Sequence, residues 1–466
     1  MISKIEVEVK DSGAGIGEQR ISGIHAKVGV SSVTDSDCII IRNTMDTDQI
    51  RQLLGQSPLA DACMDSIDGG AQRMYCYPVA ASSGGKASEV AHTGSGAGKV
   101  EVTGTGTSAY DVVIRIIEEG ATNEATFVIS TDGGSSFSDE MTVPLAGTYE
   151  LAGTGLTLNF KAEEPGKFMS GDTYTFTVAA PATTNEAVLA AVKKIYKSQA
   201  DIEAIHVVGA TEPALWASLE ELASEQEAEA GRPLLIVCEQ RQARADEDAE
   251  IYQKAIEKDC KAANRHVSVV QTWAQLKGMD GRIRVTNMAG YIMGMIGQAA
   301  ESTSIAYVRD YPISENKVLQ LVPAGIENLY KELDAARYIC LRKYPGREAW
   351  YVAASNTCAP ESSDFATIEH ARVMYRLVRE VYKRATEWQK ADFDVTEIET
   401  GTAQMQEELN IPVDEAVKDK IISSGEVTLL EPELLLTAEQ IKVRISYAAR
   451  AYANIISLTF MVGKSS

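Results

Sequence analysis

Apolar and polar residues alternate at both ends of the chain. The apolar members of the two alternations are Ile5, Val7 and Val9 near the start, and Ile456, Leu458, Phe460 and Val462 near the end. A two-residue period is that of a β-strand with one buried face. The pattern therefore predicts an amphipathic strand at each end of the chain, in terminal arms that span residues 1–22 and 441–466.

Between the arms, the pattern changes to alternating strands and helices. Residues 23–88 are predicted to contain strands and two short helices, the second of which begins at Ser57 as N-cap. Residues 183–330 continue with strands and helices in turn, starting with a helix whose capping box is Thr183 and Glu186. Such an alternation predicts a parallel sheet with crossover helices.

Residues 89–182 interrupt this alternation. After a linker rich in serine and glycine, short strands follow one another at regular spacing, with turn residues between them. This spacing predicts an inserted all-β, sandwich-like domain. The fold class expected for the whole chain is α/β, with a mixed α+β core and the β-rich domain inserted into it.

A long helix, from about residue 364 to 390, dominates the predicted C-terminal domain, residues 331–440. At 100° per residue, its basic residues fall in one stripe opposite an apolar face. The stripe consists of Arg372, Arg376, Arg379, Lys383 and Lys390, and the first four are the candidate docking residues. Either the stripe is a solvated surface with local glutamate pairs, or it docks against an acidic surface. The sequence leaves both interpretations open.

The composition limits the classes of function. The 466 residues carry a net charge of −22, which argues against nucleic-acid binding because such binding needs a basic surface. Seven dispersed cysteines without a CxxC pair indicate buried, reduced thiols in a cytoplasmic product. The start of the chain does not resemble a signal peptide, and no apolar stretch reaches about 18 residues, so we expect no export signal and no membrane span.

Two loops resemble ligand-binding motifs, and only the second fits its motif. "TGSGAGKV", residues 93–100, lacks the first glycine and the final hydroxyl of a phosphate loop, so we expect a linker. "STDGGSSF", residues 130–137, resembles the Asp-box hairpin of sialidase-like proteins, in which Asp132 is expected to cap the turn. The sequence contains no zinc, serine-hydrolase or calcium motif, and we predict no catalytic residue, no metal ligand and no cofactor.

Two longer segments resemble contractile tail sheath proteins. "DQIRQLLGQSPLADACMDSIDGGAQRMYCYPVA", residues 48–80, has the short helix, apolar helix, Gly-Gly and strand of their early part. "YPGREAWYVAASNTCAPESSDFATIEHARVMYRLVREVYKR", residues 344–384, resembles their later core, with an aromatic-rich strand, a break and a long helix. The order of arm, core, insertion, core and arm also matches this family.

The resemblance implies a structural subunit and not an enzyme. Subunits of this kind stack as hexameric rings into a helical sheath around an inner tube, meet baseplate and terminator proteins, and contract to drive the tube through a cell envelope. Each arm is then expected to add a strand to the sheet of a neighbouring subunit. The basic stripe is expected to face the tube or a neighbour, and the product to be assembled into a phage tail or a tailocin-like particle.

Two other classes of function are weighed against this one. A glycan-binding or glycan-active protein would use the Asp-box hairpin, but the β-rich region has no tryptophan and few other aromatic residues to stack on sugars. An NAD-type α/β enzyme would need a glycine fingerprint after a strand, and "HVVGATEP", residues 206–213, offers one glycine.

Overall fold

The computed structural model describes residues 23–162, 167–394, 396–431, 434–454 and 457. The described part has the mixed α/β architecture that the sequence predicts. The predicted arm strands lie outside the described residues, and their pairing stays a prediction. The apolar arm residues concerned are Ile5, Val7, Val9, Ile456, Leu458, Phe460 and Val462.

The first part of the described chain forms three strands and two helices. They are β1 (His25–Val30), β2 (Ile39–Arg42), α1 (Thr47–Leu54), α2 (Pro58–Asp68) and β3 (Arg73–Val79). Ser57 is the N-cap of α2, as predicted, because its side chain accepts a hydrogen bond from the backbone N–H of Ala60. Pro58 takes the first helical position, where a missing N–H costs nothing.

The β-rich region between β3 and the next helix forms two sheets. Its strands are β4 (Ala91–Thr93), β5 (Lys99–Gly104), β6 (Tyr110–Ile116), β7 (Thr126–Ser130), β8 (Met141–Thr142), β9 (Thr148–Leu151), β10 (Leu156–Lys161) and β11 (Thr173–Val178). The sheet orders are β4–β11–β6–β7–β8 and β5–β10–β9. Phe127, Phe160 and Phe168 pack against one another in an apolar cluster that is separate from the main core.

The chain then alternates helices and strands. The elements are α3 (Asn185–Lys197), β12 (Ala204–Thr211), α4 (Pro213–Ala230), β13 (Leu235–Gln240), α5 (Ala249–Ile256), a 3₁₀ helix (Asp259–Ala262) and β14 (Val267–Val270). The capping prediction for α3 was wrong by one residue. The N-cap is Thr184 and not Thr183, because it is the Thr184 side chain that accepts from the backbone N–H of Ala187.

A six-stranded sheet of order β14–β13–β12–β1–β3–β2 lies at the centre of the core. The neighbours from β14 to β3 are parallel, and only β2 runs antiparallel to its partner. All six residues of β13 are buried, as expected for a parallel strand with helices on both faces. The predicted parallel sheet with crossover helices is therefore confirmed.

Two small antiparallel sheets and a buried helix follow. The elements are β15 (Trp273–Lys277), β16 (Ile283–Asn287), α6 (Ala289–Gln298), β17 (Ile313–Ser314), β18 (Val318–Val322), a 3₁₀ helix (Ile326–Leu329), α7 (Tyr330–Ala335), β19 (Leu341–Lys343) and β20 (Ala349–Val352). Helix α6 crosses α2 at backbone contact: a Cβ on Gly294 would lie 2.2 Å from the carbonyl oxygen of Ser66. Only glycine allows this approach.

The last part of the described chain contains α8 (Ile368–Glu387), α9 (Ile398–Lys418), β21 (Ser424–Leu430), α10 (Leu434–Ala438) and β22 (Lys442–Ala448). The sequence correctly predicted α8, but it did not predict a second long helix after it. Helix α9 continues through both Gly401 and Pro412. Packing explains the difference, since Leu409 and Val413 are buried against α8.

Candidate functional site

Arg372 of the basic stripe points into the subunit. It is 4% exposed, and its guanidinium donates to the carbonyl oxygens of Ala299 at 3.2 Å and Ala300 at 3.4 Å. It also lies 3.4 Å from the carboxylate of Glu203, just before β12. Carbonyls at a helix C-terminus carry the negative end of the helix dipole. Arg372 therefore caps α6 and ties α8 to the central sheet.

Arg376 and Arg379 continue the same contact along α8. The two outer nitrogens of Arg376 lie 3.4 Å from carboxylate oxygens of Glu301 and Asp419, so this side chain bridges the end of α6 and the end of α9. Arg379 donates to the carbonyl oxygen of Pro233 at 3.0 Å, immediately before β13. The three arginines hold the C-terminal helices against the rest of the core.

Lys383 is the exposed stripe residue on α8, and Lys390, which is also exposed, lies beyond the end of that helix. The structure thus gives Arg372, Arg376 and Arg379 a role inside the subunit, and docking of the stripe on a tube or neighbour stays a prediction. Sequence periodicity found the helix face but not its partners. The paired acidic residues lie between 43 and 176 positions away along the chain, and no local pattern connects them.

Strands β21 and β22 form an antiparallel hairpin whose two outer edges differ. On β21, the backbone N–H groups of Val427 and Leu429 donate to the side-chain oxygens of Asn410 and Gln406 from α9, at 2.8 and 3.3 Å. Helix α9 therefore closes that edge. In the described part of the chain, β22 pairs with β21 alone. Its outer edge is consequently the one that could receive a further strand.

The register of the hairpin shows which groups face this open edge. Val427 pairs with Ile445, and Leu429 pairs with Val443. Directly opposed residues of an antiparallel pair turn their N–H groups either both inward or both outward. Since the N–H groups of Val427 and Leu429 turn outward, those of Val443 and Ile445 also turn outward. This hairpin was not predicted from the sequence, because residues 441–466 were assigned to the C-terminal arm.

The loop that resembles a phosphate loop surrounds one of the protein's own carboxylates. Asp172 accepts hydrogen bonds from the backbone N–H groups of Ser95 and Gly96 at 3.0 Å, and from that of Met169 at 2.9 Å. A Cβ on Gly96 would lie 2.0 Å from a carboxylate oxygen of Asp172. Gly94 and Gly96 thus serve to admit this side chain.

The Asp-box hairpin is also satisfied internally. The carboxylate of Asp132 accepts from the Ser130 hydroxyl at 2.6 Å, and from the Ser136 backbone and hydroxyl at 2.9 and 2.7 Å. Burial would raise the pKa of Asp132, but these hydrogen bonds outweigh it and lower the pKa below its ordinary range. Asp132 therefore caps its own turn, as expected from the sequence.

A row of buried polar side chains crosses three neighbouring strands of the central sheet. Lys27 Nζ of β1 lies 2.7 Å from His206 Nδ1 of β12, and His206 Nε2 lies 3.0 Å from Glu239 Oε1 of β13. Burial lowers the pKa of Lys27 and of His206, and it raises the pKa of Glu239 to about 8. The row links the strands through their side chains.

A second buried histidine joins α4 to β14 and α8. His266 donates from both ring nitrogens, to Glu220 at 2.7 Å and to Glu227 at 2.6 Å, and its ring stacks on Tyr375. Arg265 also pairs with Glu227 at 2.7 Å. Burial alone would lower the pKa of His266, but the two carboxylates outweigh it and raise the pKa. Both buried histidines thus serve packing and internal pairing.

In the ranges that the structure describes, no group of three or more histidine, cysteine or acidic side chains is arranged to hold a metal ion. None of the helices in those ranges combines the length and apolar character of a membrane span. Six of the seven cysteines are buried and free, as expected, whereas Cys38 is exposed.

Comparison with protein families gives two matches that follow one another along the chain. The family model described as DUF2586, N-terminal domain, matches residues 2–356. The model described as DUF2586, C-terminal domain, matches residues 364–465. No curated protein matches the chain.

Solved structures with the same fold include several sheath proteins. The sheath tail protein from Desulfitobacterium hafniense is 13% identical, with a TM-score of 0.50, over 96% of this chain and 100% of that one. The sheath complex of an extracellular contractile injection system, PVC, in its contracted state is 9% identical, with a TM-score of 0.55, over 99% and 98%. The helical sheath of the anti-feeding prophage in its contracted state is 10% identical, with a TM-score of 0.54, over 99% of both chains. The resemblance to sheath proteins is therefore confirmed at the level of the fold.

We predict that Arg372→Met destabilises the subunit by about 3–5 kcal/mol, because the change leaves the buried carboxylate of Glu203 and the last carbonyls of α6 without a donor. Urea unfolding followed by circular dichroism measures this loss. Lys383→Met, on the same helix but exposed, should change the free energy of unfolding by no more than about 0.5 kcal/mol. Equal effects of the two substitutions would show that the Arg372 contacts do not stabilise the fold.

We predict a pH dependence from His266. Because its pKa is raised in the folded state, its contribution to stability is complete below its ordinary value of 6.5 and is lost as the pH rises through the folded pKa. The difference in free energy of unfolding between the native chain and His266→Gln should therefore shrink by on the order of 1–3 kcal/mol between about pH 6 and about pH 9.

His206→Gln provides a control of opposite sign. Since burial lowers the pKa of His206, its contribution is present above 6.5 and is lost as the pH falls. The difference between the native chain and this variant should grow as the pH rises from about 5 to about 7. If the His266 difference were constant with pH, the imidazolium between the two carboxylates would not exist in the folded protein.

Proposed function

This chain belongs to the DUF2586 family, and we propose that it is the sheath subunit of a contractile phage tail or of a tailocin-like injection machine. The observation that carries the proposal is the extent of the structural likeness, which covers almost the whole of this chain and almost the whole of the sheath chains. A likeness confined to the six-stranded sheet would not discriminate among α/β proteins.

In this proposal, copies of the chain stack as hexameric rings around an inner tube and contract to drive the tube through a cell envelope. The energy comes from a metastable lattice, and the subunit itself catalyses no reaction. Baseplate and terminator proteins would lie at the two ends of the sheath. One similar chain belongs to the baseplate of the anti-feeding prophage. The protein would be made in the bacterial cytoplasm and assembled there into the particle, with the β-rich region projecting outward.

The arms would join the subunits. Each backbone hydrogen bond of an added strand contributes about 0.5–1.5 kcal/mol, and each buried large apolar side chain about 1.5–3 kcal/mol. A strand with the pattern of residues 456–462 would thus contribute on the order of 10 kcal/mol before ordering costs. The open edge of β22 is the acceptor that we assign to such a strand, since α9 closes the edge of β21.

Lys383 is the stripe residue that we assign to contact with the tube or a neighbour, because it is exposed at the outer side of α8. An exposed charge at the rim of an interface chiefly affects the rate of association and its salt dependence. Tube-templated assembly that was unaffected by Lys383→Glu at low salt would exclude this contact.

We predict that deletion of residues 454–466 leaves a folded monomer that no longer forms tubes, because the donated strand is lost. Negative-stain microscopy and sedimentation of the purified chain measure the outcome. Leu458→Asp should reproduce the defect and Thr459→Asp should not, since the alternation places only Leu458 on the apolar face. Normal tubes from the truncated chain would refute the arm mechanism.

We further predict that Val443→Pro blocks assembly while the monomer keeps its fold. Proline removes an N–H that turns away from β21, so the hairpin keeps its own hydrogen bonds and only an incoming strand loses a donor. The isosteric Val443→Thr, which keeps the N–H, is the matched control. If the proline variant formed tubes as well as the threonine variant, a neighbour's strand would not pair with this edge.

A further inference from the structure

The chain enters and leaves its described fold at the same place. Residues 297–302, the last turn of α6 and the turn after it, contact the chain at Gly23 on one side and at Tyr452 on the other. We call residues 297–302 the arm junction. The sequence separates its two contacts by more than 400 positions, so only the folded chain brings them together.

On the N-terminal side, the backbone of Gly23 crosses that of Gly297. Gly23 has φ +136, and a Cβ placed on it would lie 2.2 Å from the carbonyl oxygen of Gly297. One residue later, the carbonyl oxygen of Ile24 accepts from the backbone N–H of Glu203 at 2.9 Å. The segment that leads into β1 is thus fixed against α6 by a contact that only glycine permits.

On the C-terminal side, a tyrosine anchors the chain that leaves β22. The hydroxyl of Tyr452 donates to the carbonyl oxygen of Ser302 at 2.9 Å, and its ring lies 5.3 Å from that of His370 in the first turn of α8. The imidazole of His370 is also 3.4 Å from the carbonyl oxygen of Arg450. Two side chains therefore fix the direction in which the chain passes α8.

Two arginines of α8 contact the arm junction from the interior of the subunit. Arg372 donates to Ala299 and Ala300, and Arg376 contacts Glu301, which is 1% exposed. A buried helix end whose carbonyls are satisfied by a buried guanidinium cannot shift without breaking several hydrogen bonds together. The junction is therefore a rigid body to which both contacts are attached.

We propose that the arm junction sets the directions of both arms together, so that the copy of this chain joined by one arm determines where the copy joined by the other can bind. The proposal rests on the function proposed above. Gly23 and Tyr452 act as positioning residues for strand addition between copies. Their contacts order the roots of the arms before a neighbour arrives, and this lowers the ordering cost of association.

Two substitutions test the junction in the full-length chain. Gly23→Ala places a methyl group against Gly297, and Tyr452→Phe removes the hydrogen bond to Ser302 while it keeps the ring. We expect both variants to fold as monomers, to need a roughly two- to tenfold higher critical concentration for tube formation, and to give tubes with altered or irregular twist between rings in electron micrographs.

Matched controls distinguish a disturbed arm junction from the general effects of adding a methyl group or removing a hydroxyl group elsewhere. Gly346→Ala also puts alanine at a positive φ, +79, but nothing lies within 4 Å of its Cβ. Tyr307→Phe also removes a hydroxyl, from a side chain that is 42% exposed. Both controls should assemble with native critical concentration and twist. Native assembly of Gly23→Ala and Tyr452→Phe would overturn the proposal, even if deletion of residues 454–466 still abolished tubes.

A measurement on the monomer covers the case in which Gly23→Ala does not fold. In a Cys38→Ser background, nitroxides at Asn454→Cys and Lys383→Cys report the distance between the C-terminal root and α8 by electron spin resonance. We expect a narrow distance distribution that becomes at least twofold broader with Tyr452→Phe. An unchanged distribution would mean that Tyr452 does not fix the root, and the junction proposal would fail whether or not the sheath proposal holds.

Discussion

Buried guanidinium groups on one helix hold the two matched parts of this chain together. Arg372 and Arg376 lie in the C-terminal part, and their partners Glu203, Glu301 and the last carbonyls of α6 lie in the N-terminal part. A buried charge without its partner is strongly unfavourable, so these pairs permit one relative placement of α8 and the central sheet. The packing of α9 on α8, and of the hairpin on α9, then follows from that placement.

The sequence predicted those features that depend on local periodicity. The helix from Ser57 and the apolar face of α8 are set by residues within one or two turns of each other, and the parallel sheet was predicted from the alternation of locally recognisable strands and helices. Helix α9 was missed because Gly401 and Pro412 weaken a helix locally, and packing over its whole length outweighs them. The role of the stripe was not predictable, since its acidic partners are distant in sequence and near only in the fold.

Motifs that suggest a ligand are, in this protein, occupied by its own side chains. Backbone N–H groups around residues 93–100 form an anion cradle, and Asp172 fills it. The Asp-box hairpin offers hydroxyl and N–H donors, and Asp132 takes them. A sequence motif specifies the backbone shape and its donors, but it does not specify whether the anion comes from outside or from the chain. For residues 93–100, that distinction needs the position of Asp172, which lies outside the motif, whereas Asp132 belongs to its own motif and its capping role was predicted from the sequence.

The use of arginine inside the subunit also bears on how copies associate. With a net charge of −22, and with stripe arginines paired inside the fold, approaching copies repel one another over a Debye length of about 8–10 Å. Attraction must then come from contacts that act at shorter range and in a fixed direction. Backbone hydrogen bonds along an open strand edge and apolar side chains beneath it have both properties. Growth of a lattice would thus depend on where the donated strand is presented, so a subunit whose arm roots were free to turn would be repelled before it could pair.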